Sequence, residues 1–315
     1  MLQFYNQHKT SVKIAISIVI MAVFMLRIDM GSVIAQASDI NKNVWLLAGV
    51  FMFTQIFLLA YRWFLIINAH EQRLSGVNAL RVTLASLVAN YLFITSIGGI
   101  IVRVAMSVHG GFSLMRSIAA TALDRVMTLL ALLILTVLFL PVLGDIASHD
   151  LMHMAVFTLS IFGLGGFLFV FLFSETLRRR VIFSHRKVTM SVKYLRTIMT
   201  DPNLLMKIIA SSLVAQLSYF AAIYVVTVAT GIEFQWLHFI SILPLITVIA
   251  SLPIGYGGWG IREGAFVYGL GIINIPVETA FMISVQIGLI SMMCAFVAGI
   301  PSLISHKRKI ANAAA

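Results

Sequence analysis

The sequence predicts an all-α polytopic membrane protein, with six full transmembrane helices plus two broken re-entrant helical hairpins in an inverted-topology repeat. Three observations carry this. The 315-residue chain is 60% hydrophobic and only 10% charged, whereas a soluble domain carries roughly 25% charged residues. Six apolar stretches are long enough, at about 1.5 Å per residue, to cross a hydrocarbon core of roughly 30 Å. Two further apolar regions are interrupted by a Gly-Gly pair, each followed by an arginine at the same spacing. These read Gly98-Gly99-Ile100-Ile101-Val102-Arg103 and Gly257-Gly258-Trp259-Gly260-Ile261-Arg262, one in each half.

The first span lies near 12–29. Lys9 and Lys13, the apolar run and Ala35-Gln36-Ala37 imitate a secretory signal. Arg27 and Asp29 intervene, and the small residues sit far from the run, so an uncleaved span is expected. The second span, 44–66, carries Trp45, Tyr61 and Trp63 at its ends, as interface-anchoring aromatics do. The region 82–112 follows, broken at Gly98-Gly99. Its arm 82–97 would reach only about 24 Å as a helix. The third span, 114–141, contains Asp124-Arg125, and the fourth covers 151–173. His149 and His153 before it have helical metal-ligand spacing, but Asp145 and Asp150 beside them indicate a solvated loop; no metal and no cofactor are expected. The fifth span is 208–230, and the region 237–275 is broken at Gly257-Gly258. Its arm 264–275 would reach about 18 Å. The sixth span, 278–304, holds the lone Cys294, a small core residue by its apolar surroundings. Each broken region reads as a hairpin returning to its own side; two short spans per region, ten helices in all, are the alternative.

Orientation follows from lysine and arginine. The basic connection 174–207 carries Arg178, Arg179, Arg180, Arg186, Lys187, Lys193, Arg196 and Lys207. The tail carries Lys307, Arg308 and Lys309, and Arg73 and Arg81 lie in 67–81. Asp29 and Asp39 with Lys42, then Asp145, Asp150 and Glu233, fall in the opposite loops. Both termini are therefore expected in the cytoplasm. The whole of 1–315 reads as one membrane domain, with 1–143 and 144–306 as oppositely oriented repeats. The net charge of +11 then belongs to cytoplasmic loops against anionic lipid rather than to nucleic acid.

Broken helices in corresponding positions of two halves point to a transporter-type binding site. A helix restarting after a break offers free N–H groups and the positive end of its dipole to an anion. Arg103 and Arg262 add guanidinium groups, whose forked donors suit phosphate oxygens. The candidate substrate-binding residues are Gly98, Gly99, Arg103, Asp124, Arg125, Gly257, Gly258, Gly260, Arg262 and Glu263. The same charges could instead be fixed struts, Arg262 with Asp124 and Arg125 with Glu263, since adjacent residues on a helix point apart. No Walker-type loop is present, so the chain does not drive transport with ATP alone. No nucleophile–base set emerges, so an enzyme is not expected.

The stretch Ser251-Leu252-Pro253-Ile254-Gly255-Tyr256-Gly257-Gly258-Trp259-Gly260-Ile261-Arg262-Glu263 resembles the Pro-x-x-x-Gly-Gly-x-Gly-x-Arg-Glu segment of the flippase-like membrane domain of lysylphosphatidylglycerol synthases, the multiple peptide resistance factor type. Tyr61-Arg62-Trp63 and Asp124-Arg125 are supporting matches. In bifunctional relatives this domain is associated with moving an aminoacylated phospholipid, while a separate soluble domain performs the aminoacyl transfer. The chain ends just after Lys307-Arg308-Lys309, so the resemblance implies a stand-alone member lacking the aminoacyltransferase domain. Thr95-Ser96 stand before the first glycine pair, where relatives commonly carry a proline and an acidic residue, which argues against a lysyl-lipid. The resemblance and the residues together imply a flippase or scramblase of the bacterial inner membrane. Its substrate would be a phospholipid or a polyprenyl-phosphate-linked lipid. The alternative is an accessory subunit that presents a lipid carrier to a glycosyltransferase, a cytosolic or membrane enzyme partner.

Overall fold

The computed structural model describes residues 41–69, 73–92, 98–146, 194–252 and 260–313, with a few single positions besides. The spans expected at 12–29 and 151–173 lie outside the described residues, save isolated helical positions 155, 158 and 159. The connection before 194 and the pair Gly257-Gly258 lie outside them as well.

Within the described residues the chain is helical: α1 (Lys42–Ile67), α2 (Gly76–Leu92), α3 (Gly98–His109), α4 (Leu114–Leu138), α5 (Leu140–Asp145), α6 (Pro202–Val228), α7 (Trp236–Ala250), α8 (Ile261–Ile272) and α9 (Val277–Ala313). Four are long and apolar enough to cross a membrane: α1, α4, α6 and the Val277–Ile300 part of α9. These match the spans expected at 44–66, 114–141, 208–230 and 278–304, and the protein is a multi-pass membrane protein.

Local chemistry sets where each long helix starts. Asn41 caps α1 by accepting the Asn43 N–H at 2.9 Å, and Ser113 caps α4 through the Arg116 N–H at 3.3 Å. Asp201 caps α6 through Leu204 N–H at 3.1 Å, with Pro202 at the first helical position, where its missing N–H costs nothing. The two arms next to the breaks are equal in length. α3 and α8 each have 12 residues, about 18 Å of helix.

Both arms also stop in the same way. At the end of α3, Phe112 N–H reaches Ser107 C=O and Gly111 N–H reaches Val108 C=O, with Gly111 at φ +92°. At the end of α8, Ile275 N–H reaches Leu270 C=O and Asn274 N–H reaches Gly271 C=O, with Asn274 at φ +62°. Each is a Schellman stop built on a left-handed residue. The pair Gly110-Gly111 is thereby a helix terminator.

Helices distant in the chain pack together. α1 lies along α6; α2 pairs with α3 and α7 with α8; α2 also packs on α9, and α7 on α4. One core runs through α6, α7, α8 and α9 with Met52 and Ile56 of α1. A second, smaller core gathers Trp63, Ile66, Ile67, Ala120, Leu123, Ile198 and Ile208. It seats the 194–200 stretch against the end of α1, where the Tyr194 hydroxyl donates to Ile66 C=O and Arg116 Nη2 to Ile67 C=O at 2.6 Å. These satisfy carbonyls that a helix end leaves without intrahelical partners. Burial raises the Tyr194 hydroxyl pKa above its ordinary value, with Arg116 pulling the other way, so Tyr194 stays a neutral donor.

Candidate functional site: a buried arginine–aspartate cluster

Asp124, on α4, is buried between two arginines from different helices. Its Oδ1 accepts Arg62 Nε at 2.8 Å, and its Oδ2 accepts Arg103 Nη1 at 2.6 Å. Arg62 comes from α1 and Arg103 from α3, and all three residues are buried at 7% exposure or less. The remaining contacts are hydroxyls. Arg62 Nη1 donates to Ser212 Oγ at 3.1 Å, Arg62 Nη2 to Thr128 Oγ1 at 2.8 Å, and Arg103 Nη2 to Ser86 Oγ at 3.2 Å.

These hydroxyls are fixed as acceptors. Each sends its own proton to a carbonyl of its own helix: Ser212 to Ile208, Thr128 to Asp124 and Ser86 to Thr83. Their lone pairs are left for the guanidinium groups. The Arg103 guanidinium also lies 4.8 Å from the centre of the Trp63 ring, within cation–π range. Five helices (α1, α2, α3, α4 and α6) thus meet at one polar point.

A second cluster lies in the other half. Arg262 Nη2 and Nε reach Glu263 Oε1 at 2.6 and 3.0 Å, and Arg262 Nε also reaches Ser284 Oγ on α9 at 3.3 Å. Glu263 is fully buried, and its Oε2 accepts the Gly260 N–H, closing the start of α8. Gly260 has φ +89°, a conformation that favours glycine. A Cβ added to Gly288 on α9 would fall 2.1 Å from Arg262 Nη2, so a missing side chain provides the guanidinium's seat. Gly288→Ala should therefore push Arg262 off Glu263. The expected loss is about 1–3 kcal/mol, as for other forced insertions into a packed site; thermal unfolding of the purified variant measures it.

Several expectations need correction. Arg262 pairs with its neighbour Glu263, not with Asp124, and Asp124 takes Arg62 and Arg103 instead. Adjacent residues point apart in a helix interior. In the first turn of α8 both side chains lean back past the helix start, where no helix body separates them. Arg125 is exposed on α4, and the ion pairs of Asp124 among the described residues are with Arg62 and Arg103 instead. Gly98 and Gly99 do not precede the restarting helix but begin it, as the first two residues of α3 after α2 ends at Leu92. Gly99 serves close packing, since a Cβ there would lie 2.4 Å from the Ser86 carbonyl oxygen.

Neither helix start is an open anion site at these positions. Asn90 Oδ1 takes the Gly99 N–H at 3.0 Å, and Glu263 takes that of Gly260. The matching Gly-Gly-to-Arg spacing also does not mark equivalent places, for Arg103 is the sixth residue of α3 and Arg262 the second of α8. Arg62, Trp63, Ser86, Thr128, Ser212, Ser284 and Gly288 were not expected at the site. A charged residue inside the otherwise uncharged run 43–67 was the available signal for Arg62.

No curated protein matches the chain. Residues 11–299 match the family described as the lysylphosphatidylglycerol synthase TM region, and with that match spanning most of its length the chain belongs to this family.

Proposed function

We propose that the protein moves a phosphate-bearing lipid between the leaflets of the bacterial inner membrane, as a flippase or scramblase. α2–α3 and α7–α8 act as re-entrant hairpins of two inverted repeats, with both termini in the cytoplasm. Arms of about 18 to 26 Å are short of a full crossing. The matched Schellman stops of α3 and α8 and the crossed packing of α2 on α9 and α7 on α4 support the repeat. Inverted hairpins of this kind let one site face either side in turn.

The observation that carries the proposal is Arg103. It projects from a hairpin arm and is tied to Asp124 of a full span, so hairpin movement and phosphate contact converge on one ion pair. In this conformation the protein closes over the pair. Rocking of the halves would open it to a head group while the acyl or prenyl tails stay in lipid. A buried charge in a membrane costs about 2.5 kcal/mol or more, and such charges commonly line the substrate pathway.

Vesicles reconstituted with the purified protein and a labelled anionic lipid test this, with a membrane-impermeant quencher reporting leaflet exchange. Exchange is expected, falling at least about tenfold in Arg103→Gln, the loss of one charge-assisted hydrogen bond, and unchanged in Arg125→Ala. No exchange by folded protein would overturn transport and favour an accessory subunit that presents a lipid carrier to a glycosyltransferase.

A further inference from the structure

We infer that the Arg62–Arg103–Asp124 cluster, with Trp63, selects a lipid whose head group is a phosphodiester carrying one negative charge and no fixed cation. Resting on the transport function proposed above, this narrows its substrate class. Among the described residues, two guanidinium groups against one carboxylate leave the buried cluster one positive charge in excess. In the second cluster Arg262 faces Glu263, one charge against one. A low-dielectric site favours neutrality, and a singly charged phosphodiester supplies it.

Hydrogen bonding points the same way. A guanidinium presents five N–H donors. Among the described residues Arg62 uses three and Arg103 two. Trp63, fully buried with its ring beneath Arg103, has an indole N–H without a hydrogen-bond partner among the described residues. The spare capacity consists of donors, as an acceptor-rich phosphate requires and an ammonium head group does not. Both oxygens of Asp124 are engaged by arginine, and Glu263 is held by Arg262 and Gly260. A zwitterionic or aminoacylated head group would therefore bring a cation with no carboxylate to meet it. A doubly charged pyrophosphate would overshoot neutrality.

The test separates binding from transport. Purified full-length protein is titrated with short-chain phosphatidylglycerol, phosphatidylcholine of the same chains, and inorganic phosphate, with the shift in thermal unfolding midpoint giving the affinity. Phosphatidylglycerol should bind at least about tenfold more tightly than phosphatidylcholine, the worth of one charge-assisted contact. Trp63→Phe keeps an aromatic face under Arg103 and removes the N–H. Read against its own lipid-free midpoint, which the lost volume lowers, it should weaken phosphatidylglycerol alone by several-fold. Equal binding of the two lipids, an unchanged affinity in Trp63→Phe, or inorganic phosphate binding as tightly as the lipid would each overturn the inference. Leaflet exchange is scored in parallel vesicles. Selective binding without exchange would leave the site standing and remove transport, whereas exchange of both lipids alike without selective binding would do the reverse.

Discussion

Asp124→Ala is expected to be among the most destabilising single changes in this protein, and it removes only a few atoms. One carboxylate neutralises part of two buried guanidinium groups, at 2.8 and 2.6 Å. Breaking a buried pair by deleting one partner costs about 3–5 kcal/mol, because the remaining charge is stranded. Here two charges are stranded and repel each other, placing the change at the upper end. A loss of that size is comparable with a large share of the roughly 5–15 kcal/mol that holds a typical domain folded.

The side chains that remain offer little relief. Thr128, Ser212 and Ser86 already accept from the arginines, and a hydroxyl dipole does not replace an ionised carboxylate. Asp124→Asn should fall between wild type and alanine. Its amide oxygen can keep one arginine, while its NH2 group turns a donor toward the other. Arg125→Ala, one residue along but exposed, should move stability by no more than about 0.5 kcal/mol. The unfolding midpoint in detergent measures all three. An Asp124→Ala midpoint equal to that of Arg125→Ala would mean that Arg62 and Arg103 reach water after all.

What could be read from the residues, and what could not, divides along physical lines. Long apolar runs are a one-dimensional property, so α1, α4, α6 and α9 fall where hydropathy places them. The shortness of α2 and α8 was legible for the same reason, since helix length is a count. Charge partners were not legible, because pairing depends on which helix faces which. Asp124 finds Arg62 sixty-two positions away in the chain, and nothing in either neighbourhood announces it.

The Arg262–Glu263 pair failed for a different reason: a rule for helix interiors was applied at a helix start. For Gly98 and Gly99 the sequence leaves two causes open. Glycine serves both for special backbone angles and for close approach, and only three-dimensional neighbours tell these apart. Gly260, with its positive φ, is the case in which backbone freedom is the reason.

Gly99→Ala tests that distinction where it bears on mechanism. The added methyl would sit 2.4 Å from the Ser86 carbonyl oxygen and 2.4 Å from Asn90 Oδ1. Asn90 can rotate away, but the Ser86 carbonyl is α2 backbone and cannot. α3 must therefore back away from α2, at about 1–3 kcal/mol for the forced fit. The same shift draws Arg103 from Ser86 Oγ, now 3.2 Å away, and pulls on its bond to Asp124. Leaflet exchange should fall more than stability does. Gly144→Ala, where no heavy atom lies within 4 Å, should be neutral or stabilising by about 0.5–1 kcal/mol, as in an unobstructed helix. The double variant Gly99→Ala with Asn90→Ala separates the two contacts. If Asn90 were the obstacle, the pair would recover exchange, and midpoint too save for the lost cap on the Gly99 N–H. Because the carbonyl remains, the pair should recover neither, and recovery would show that α2 and α3 are less closely pressed than the Ser86 contact requires.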